Sequence, residues 1–513
     1  MLWLALHLPL LSLEAFCATL PPGAPRRPVA LIGQQRIIAV DSAAAEAGIR
    51  PGMKRATALA LTADLLLADG QAARDAAALQ AVAHAALAFT PAVTLHDTQT
   101  VLLEVQGSLR LFGGLAALHR RLLDALAPLG HRLQTAAAPT ALGAALLSQW
   151  HPVDRGDPVH GGHARSLPAL QRLLADAPVW MLGPGREHWE ALQGMGLHTL
   201  SDLRQLPRAG LARRFGAGLL DDLDRALGLQ PDPRSWLALP AVFDSRLELF
   251  ASAETSEQVL AGAAVLLARL VAWAQARQAR VSAFTLRMRH ERQRRVTGPA
   301  TELHVELAVP ASDADHLQSL LRERLGRCTL AAPTLELQLH CHRLVAGPAP
   351  SGELFPTRAN QDEGLLRLLE RLRARLGDEQ VQRLEPVADH RPERASRTVP
   401  TQGVAPARRE GPAAVAARTA AAAAPALPHH RPAWLLPEPL PLAERGDLPL
   451  LEGRPLQLLS GPERIEAGWW DGQPAVRDYF IALAEDGSLV WVWRGRLPAA
   501  PGDAAWFLQG RFA

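Results

Sequence analysis

Leu2-Trp3-Leu4-Ala5-Leu6-His7-Leu8-Pro9-Leu10-Leu11-Ser12-Leu13-Glu14 lies at the start of the chain. A second stretch, Thr90-Pro91-Ala92-Val93-Thr94-Leu95-His96-Asp97-Thr98-Gln99-Thr100-Val101-Leu102-Leu103-Glu104-Val105, runs on into Gly107-Ser108-Leu109-Arg110-Leu111-Phe112-Gly113-Gly114. The first reads as a buried strand entering a helix. It lacks a basic n-region, and His7, Pro9 and Glu14 interrupt the apolar run, which argues against a secretory signal. It is also too short and interrupted to span a membrane. In the second, Val101–Val105 and Leu109–Phe112 read as strands. Alanine-rich residues 71–88 before them and Ala116–Leu129 after them read as helices, and His131–Ala137 as a further strand. That alternation fits a split α/β sheet.

Together the two stretches resemble the palm motifs of the Y-family (translesion) DNA polymerases. There one strand presents Asp-x-Asp and a later strand an Asp-Glu pair. In gap-free register Ala5 and His7 fall at the first two carboxylates, Gln99 and Thr100 at the second pair. Two-metal phosphoryl transfer needs carboxylates that hold ions about 3.5–4 Å apart, and magnesium wants hard oxygen anions. The resemblance continues through Ala47-Gly48-Ile49-Arg50-Pro51-Gly52-Met53 and Ala56–Gly70, similar to the fingers. The family's triphosphate-binding Tyr and Arg correspond to Ser42 and Ala45, its steric gate to Leu10, and its triphosphate Lys to Ala145. Losing metal, triphosphate and sugar-selection residues together is similar to the catalytically inactive Y-family homologues of bacterial mutasome operons. Glu14, Asp41, Asp97 and Glu104 survive nearby, so an active polymerase with rearranged ligands is an alternative reading.

The resemblance implies an α+β multidomain fold, a polymerase-like right hand followed by a linker and a β-rich module. Its parts are a palm (1–28 and 71–165), fingers (29–70), a helix-hairpin-helix thumb (166–238) and a βαββαβ little finger (239–346). In the thumb, Leu182-Gly183-Pro184-Gly185 and Arg213-Arg214-Phe215-Gly216 have the cadence of phosphate-binding turns, making Gly183, Gly185, Arg213 and Arg214 candidate DNA contacts. In the little finger, Val242–Phe250, Val281–Arg289, Glu302–Val309 and Thr334–Arg343 read as strands. Helices are expected over Ser256–Arg277 and Ser312–Leu325. Arg287 and Arg289 share a strand face with Arg292 and Arg294 in the adjoining turn, a second candidate backbone-tracking cluster.

Residues 347–395 carry Ser351-Gly352-Glu353-Leu354-Phe355, similar to short peptides that dock into the bacterial sliding clamp. Leu354 and Phe355 would fill an apolar pocket, while Ser351 stands where such peptides carry Gln. The Pro-, Arg- and Ala-rich stretch 396–430 lacks the means to build a core and reads as a disordered linker. Residues 431–513 hold 6 of the 12 tryptophans and the only tyrosine, Tyr479, so a small β-rich module is expected there with most aromatics in its core. Its Gly468-Trp469-Trp470-Asp471 and Arg477-Asp478-Tyr479 runs resemble the tail of the inactive homologues.

Composition fits this picture. The 513 residues suffice for several domains, and a 48% apolar fraction for packed cores. Net charge is only +3, so DNA affinity must come from local patches. Cys17, Cys328 and Cys341 lack ligand spacing, as expected of a reduced cytoplasmic protein without a metal site. The resemblance implies no cofactor, no membrane and four partners: DNA, the sliding clamp (its β subunit), an error-prone C-family polymerase and a RecA-like accessory protein. A DNA-binding structural protein without a clamp role is the other alternative.

Overall fold

A computed structural model describes residues 1–21, 27–151, 162–291, 300–347, 358–401, 431–432, 434–496 and 505–512. They form two compact units, Met1–Arg375 and Leu376–Ala513.

In the first unit, strand Trp3–His7 is central in a four-stranded antiparallel sheet between Thr100–Glu104 and Gln134–Ala138, with Val93–Leu95 at the edge. Every residue of Trp3–His7 is buried, which explains its nearly unbroken apolar run. Leu2, Leu4 and Leu6 pack towards helices Ala72–Ala86 and Leu115–Leu126, Trp3 and Ala5 towards Ala141–Trp150. Val29–Gly33, Arg36–Val40 and Leu66–Asp69 make a separate three-stranded sheet over the expected fingers range. Leu109–Phe112 is a helical turn, not the expected strand. Its alternating leucines mimic a strand, but Val105 O accepts from Ser108 N (3.0 Å) to start a turn, and left-handed Gly113 (φ 79°) ends it.

From Leu167 to Leu227 the chain is helical, as expected, with its leucines in one core with the palm-like sheet. The next region follows the order βαββαβ: Phe243–Ala253, Ser256–Ala276, Ala279–His290, Thr301–Ala311, Ala314–Gly326 and Thr334–Ala346. Ala279–His290 and Thr334–Ala346 are the inner strands of an antiparallel sheet, flanked by Thr301–Ala311 and Phe243–Ala253. The helix Ser256–Ala276 is long and apolar enough to cross a membrane, yet 67% of its most apolar window is buried inside the protein, where it covers this sheet. Thr255 and Gln258 close its N-terminus with a capping box.

The second unit contains a seven-stranded sheet whose outermost strands are Arg454–Pro455 and Gln457–Ala467. Only Leu456 separates these two edges in the chain, so the sheet must curl enough to bring Pro455 and Gln457 together. Tyr479 stacks on Trp491 (4.2 Å between ring centroids) and Trp493 on Phe507 (4.3 Å). Trp434, Trp469 and Trp470 remain exposed.

The segment read as linker from residue 396 starts differently: Ser396–Pro400 pairs with Gln382–Pro386 as a hairpin. Arg397 reaches across to Glu385 (2.8 Å), a cross-strand ion pair that takes the place of hydrophobic alternation. Next to it Arg391, 3% exposed in its side chain, donates to Asp389 and Asp471 (both 2.7 Å) and lies 5.5 Å over the ring of Trp470. Hydrogen bonds from Arg391 hold the Asp389 carboxyl down at about 2 from an ordinary 3.8. A depressed carboxylate stabilises the folded state above its unfolded pKa, and that contribution is lost as pH falls through the folded one. The thermal midpoint of the second unit should therefore drop between pH 3.8 and about 2, and Arg391→Met should flatten that drop. An unchanged pH profile in the variant would show the pair to be inconsequential.

Candidate DNA-processing site and nucleic-acid interface

Of the residues placed by the sequence at the four carboxylate positions, His7, Gln99 and Thr100 lie at one end of the palm-like sheet and Ala5 lies two residues further in. His7 is directly opposite Thr100, and its Nδ1 is 3.0 Å from Thr100 Oγ1. Leu8 N donates to Gln99 O (2.8 Å), and Ala5 is opposite Leu102 and fully buried. Burial holds His7 below the usual histidine range, with Asp97 pulling the other way. The site thus offers a methyl, a largely neutral imidazole, an amide and a hydroxyl. That donor set does not fit a pair of divalent cations.

The carboxylates that survive nearby are already engaged. Asp97 Oδ1 accepts from Gln99 N (2.8 Å), closing its own turn. Glu104 Oε1 accepts from Leu2 N (3.3 Å) and Gln106 N (3.2 Å). Both oxygens of Glu14 accept from Arg132 N (3.1 Å each). Asp41 caps the helix Ser42–Glu46 through Ala44 N (2.8 Å) and also accepts from Val29 N (3.1 Å). Each of the four tethers backbone, which accounts for its presence without a metal.

One contributor was missed by the sequence reading. Arg234 reaches this end of the sheet, donating from Nη1 to His96 Nδ1 (3.2 Å) and from Nη2 to Asp232 (2.5 Å). A guanidinium only donates, so His96 accepts at Nδ1 as a neutral ring. Burial accordingly holds His96 below the usual histidine range, Asp97 opposing and Arg234 assisting. The Asp232 carboxylate balances the guanidinium, so the pair fixes His96 without leaving a free charge of either sign. The only sequence signal is the short Pro231-Asp232-Pro233-Arg234 run, which names no distant partner.

The other polymerase-equivalent positions are equally unsuited to a triphosphate. Ser42 and Ala45 belong to a five-residue helix, and Arg50 spends its Nη1 on Ala45 O (2.5 Å) and Ile49 O (3.1 Å). Ala145 is fully buried in the helix Ala141–Trp150. Leu10 is half-buried just before the helix Leu11–Cys17.

Of the candidate DNA contacts, Gly183 and Gly185 open the five-residue helix Gly183–Glu187. Gly185 is buried, and a Cβ there would stand 2.1 Å from Val179 O, so its need for glycine is a packing one. Arg213 and Arg214 are exposed in the last turn of Arg208–Phe215. Gly216 (φ 83°) then turns the chain straight into the eleven-residue helix Ala217–Leu227. Two exposed arginines beside a helix start, Arg214 with its guanidinium 5.7 Å over the Phe215 ring, suit a phosphate. Arg287 and Arg289 are exposed on one face, but each meets a cross-strand carboxylate: Arg287 with Glu302 (3.6 Å) and Arg289 with Glu336 (3.2 Å). That face is closer to charge balance than its arginines alone suggest. Arg292, Arg294, Ser351, Leu354 and Phe355 lie outside the described residues.

Residues 14–149 match the impB/mucB/samB family model. Protein ImuB of Caulobacter vibrioides is 29% identical over 485 residues, spanning 91% of this chain and 100% of that protein. Among solved structures, an insertion ternary complex of Dbh DNA polymerase is 14% identical with a TM-score of 0.38. DinB from Sulfolobus solfataricus is also 14% identical, with a TM-score of 0.36. Both alignments span 68% of this chain and all of theirs. The chain is thus similar to protein ImuB over nearly its whole length, and residues 14–149 carry the match to the impB/mucB/samB family model.

Proposed function

We propose that this chain is a non-catalytic polymerase homologue that serves damage-induced mutagenesis as a scaffold. It binds primer-template DNA and the sliding clamp, and brings in an error-prone C-family polymerase together with a RecA-like accessory protein. The observation that carries this reading is the palm-like sheet end itself. His7 is bonded to Thr100, Ala5 is buried, Arg234 is adjacent, and all four nearby carboxylates are tied to backbone groups. A fold kept without its metal ligands is suited to binding the substrates of the reaction without performing it.

DNA binding in this reading is salt-steep and indifferent to sequence, because it rests on phosphate contacts. Arg213 and Arg214 stand exposed beside a helix start, so replacing both with alanine should weaken binding and lower the salt slope by about 0.9 per lost contact. Replacing Arg287 and Arg289 should change the slope less, since Glu302 and Glu336 partly neutralise them. An affinity loss at constant slope would refute the phosphate assignment.

Clamp binding is assigned to Ser351–Phe355. Leu354→Ala with Phe355→Ala should abolish pull-down of the clamp and leave DNA affinity unchanged, because such anchors carry most of the energy of a small interface. Ser351→Gln should tighten binding by roughly 1 kcal/mol. A double mutant that still binds normally would move the contact elsewhere, whereas a wild-type chain that pulls down no clamp would favour the structural-protein alternative.

A further inference from the structure

A cavity of about 340 Å³ lies between the helix Ala72–Ala86 and the edge strand Phe243–Ala253. Its wall includes Arg269, in the middle of the helix Ser256–Ala276, which is only 6% exposed. Among the described residues its hydrogen-bond partner is a neutral hydroxyl, Ser245 Oγ, 3.3 Å from Nη1. No carboxylate lies within ion-pair distance of it among them. Burial brings its pKa down to about 10, so the group remains charged at neutral pH. A buried charge without a counter-charge is unfavourable unless something supplies one.

The same cavity is lined by Arg74, whose Nε is buried without a hydrogen-bond partner and faces Asp75 only at 3.6 Å. His84, held below the usual histidine range by burial, adds a neutral ring. Asp244 and Glu336 line the cavity too, but each is committed: Asp244 to Gln338 Nε2 (2.8 Å) and Glu336 to Arg289 (3.2 Å).

We infer that this cavity is a binding site for a small ligand bearing a single phosphate-type group, a phosphate monoester above all, with Arg269 as its anchor. The guanidinium fork matches a phosphate geometrically and presents nitrogens that no carboxylate among the described residues neutralises. The cavity volume is at the lower end for small-molecule sites. Its acidic residues, Asp244, Glu248 and Glu336, disfavour a polyanion such as a DNA strand. This site is separate from the palm-like sheet end and from Arg213 and Arg214, so it stands or falls independently of the scaffold reading.

The test is calorimetric titration of the full chain with inorganic phosphate and with adenosine 5′-monophosphate, followed by competition with a single-stranded oligonucleotide. Wild-type chain should bind one equivalent of both small anions, and the oligonucleotide should leave that heat unchanged. Arg269→Met, close in volume and uncharged, should weaken binding about tenfold or more. Arg269→Lys keeps the charge and should retain part of the affinity, which keeps the test open if the methionine variant does not fold. Absence of binding to wild-type chain, or equal binding by a folded Arg269→Met, would overturn the proposal. Displacement by the oligonucleotide would overturn it in favour of a DNA contact.

Discussion

Purified chain given a primer-template, all four deoxynucleotides and either magnesium or manganese should extend no primer above background. Polymerase chemistry depends on two cations clamped between carboxylates that stabilise the attacking and leaving oxygens. Enzymes that lose such electrostatic stabilisation forfeit the larger part of rate enhancements on the order of 10⁶ or more. Here His7 and Thr100 bond to each other at 3.0 Å, and Ala5 contributes only a buried methyl. The surviving carboxylates serve local structure: Asp97 Oδ1 accepts from Gln99 N, and Glu104 Oε1 from Leu2 N and Gln106 N. The informative control is therefore mutational. Template-dependent extension that co-purifies with the chain and disappears in Asp97→Asn or Glu104→Gln would establish an active site with rearranged ligands, and the scaffold reading would fall. Trace activity that persists in both variants, and in Glu14→Gln and Asp41→Asn, belongs to a contaminant.

What could be read from the sequence follows from how local each feature is. Leu303, Val305 and Leu307 alternate along Thr301–Ala311, as do Leu337, Leu339 and Cys341 along Thr334–Ala346, so those strands were legible within a few residues. Leu109 and Leu111 alternate equally well, but Gly113 and Gly114, both with positive φ, decide the backbone. The sheet end was legible because resemblance fixes the register of the two strands. What surrounds it was not, because Arg234 and His96 are 138 residues apart and meet only through tertiary folding. The surroundings of the strand arginines were illegible for a similar reason. Arg287 and Arg289 share a strand face in the sequence, but their neutralising partners, Glu302 and Glu336, come from two flanking strands whose register no local pattern encodes. Arg391 and Asp471, 80 residues apart, show the same limit in the second unit.

Glu370→Ala should detach the helix Arg358–Leu376 from the little-finger-like sheet, visible as faster proteolysis and hydrogen exchange over its C-terminal half. Glu370 is 7% exposed and satisfies two buried groups at once. Its Oε1 accepts from Ala308 N (2.6 Å), and its Oε2 is 3.0 Å from His316 Nε2. Ala374, one turn later, is buried in the same core as Leu317 and Leu320. Removing one member of a buried pair strands the other, at a cost of about 3–5 kcal/mol. Alanine here also orphans the Ala308 amide, so the effect should be at the upper end of single substitutions. Glu370→Gln separates the contributions. Its carbonyl can still accept from Ala308 N, and its amide can donate to His316 if that ring accepts at Nε2. A mild glutamine variant beside a severe alanine one would assign the anchorage to hydrogen bonding, whereas two equally severe variants would assign it to charge. The proposed clamp peptide ends at Phe355, three residues before this helix starts. In the scaffold reading the helix therefore fixes where the clamp is held relative to the sheet. Glu370→Ala should leave peptide affinity intact while reducing damage-induced mutagenesis. Wild-type mutagenesis with a demonstrably released helix would show that this anchorage does not matter to the function.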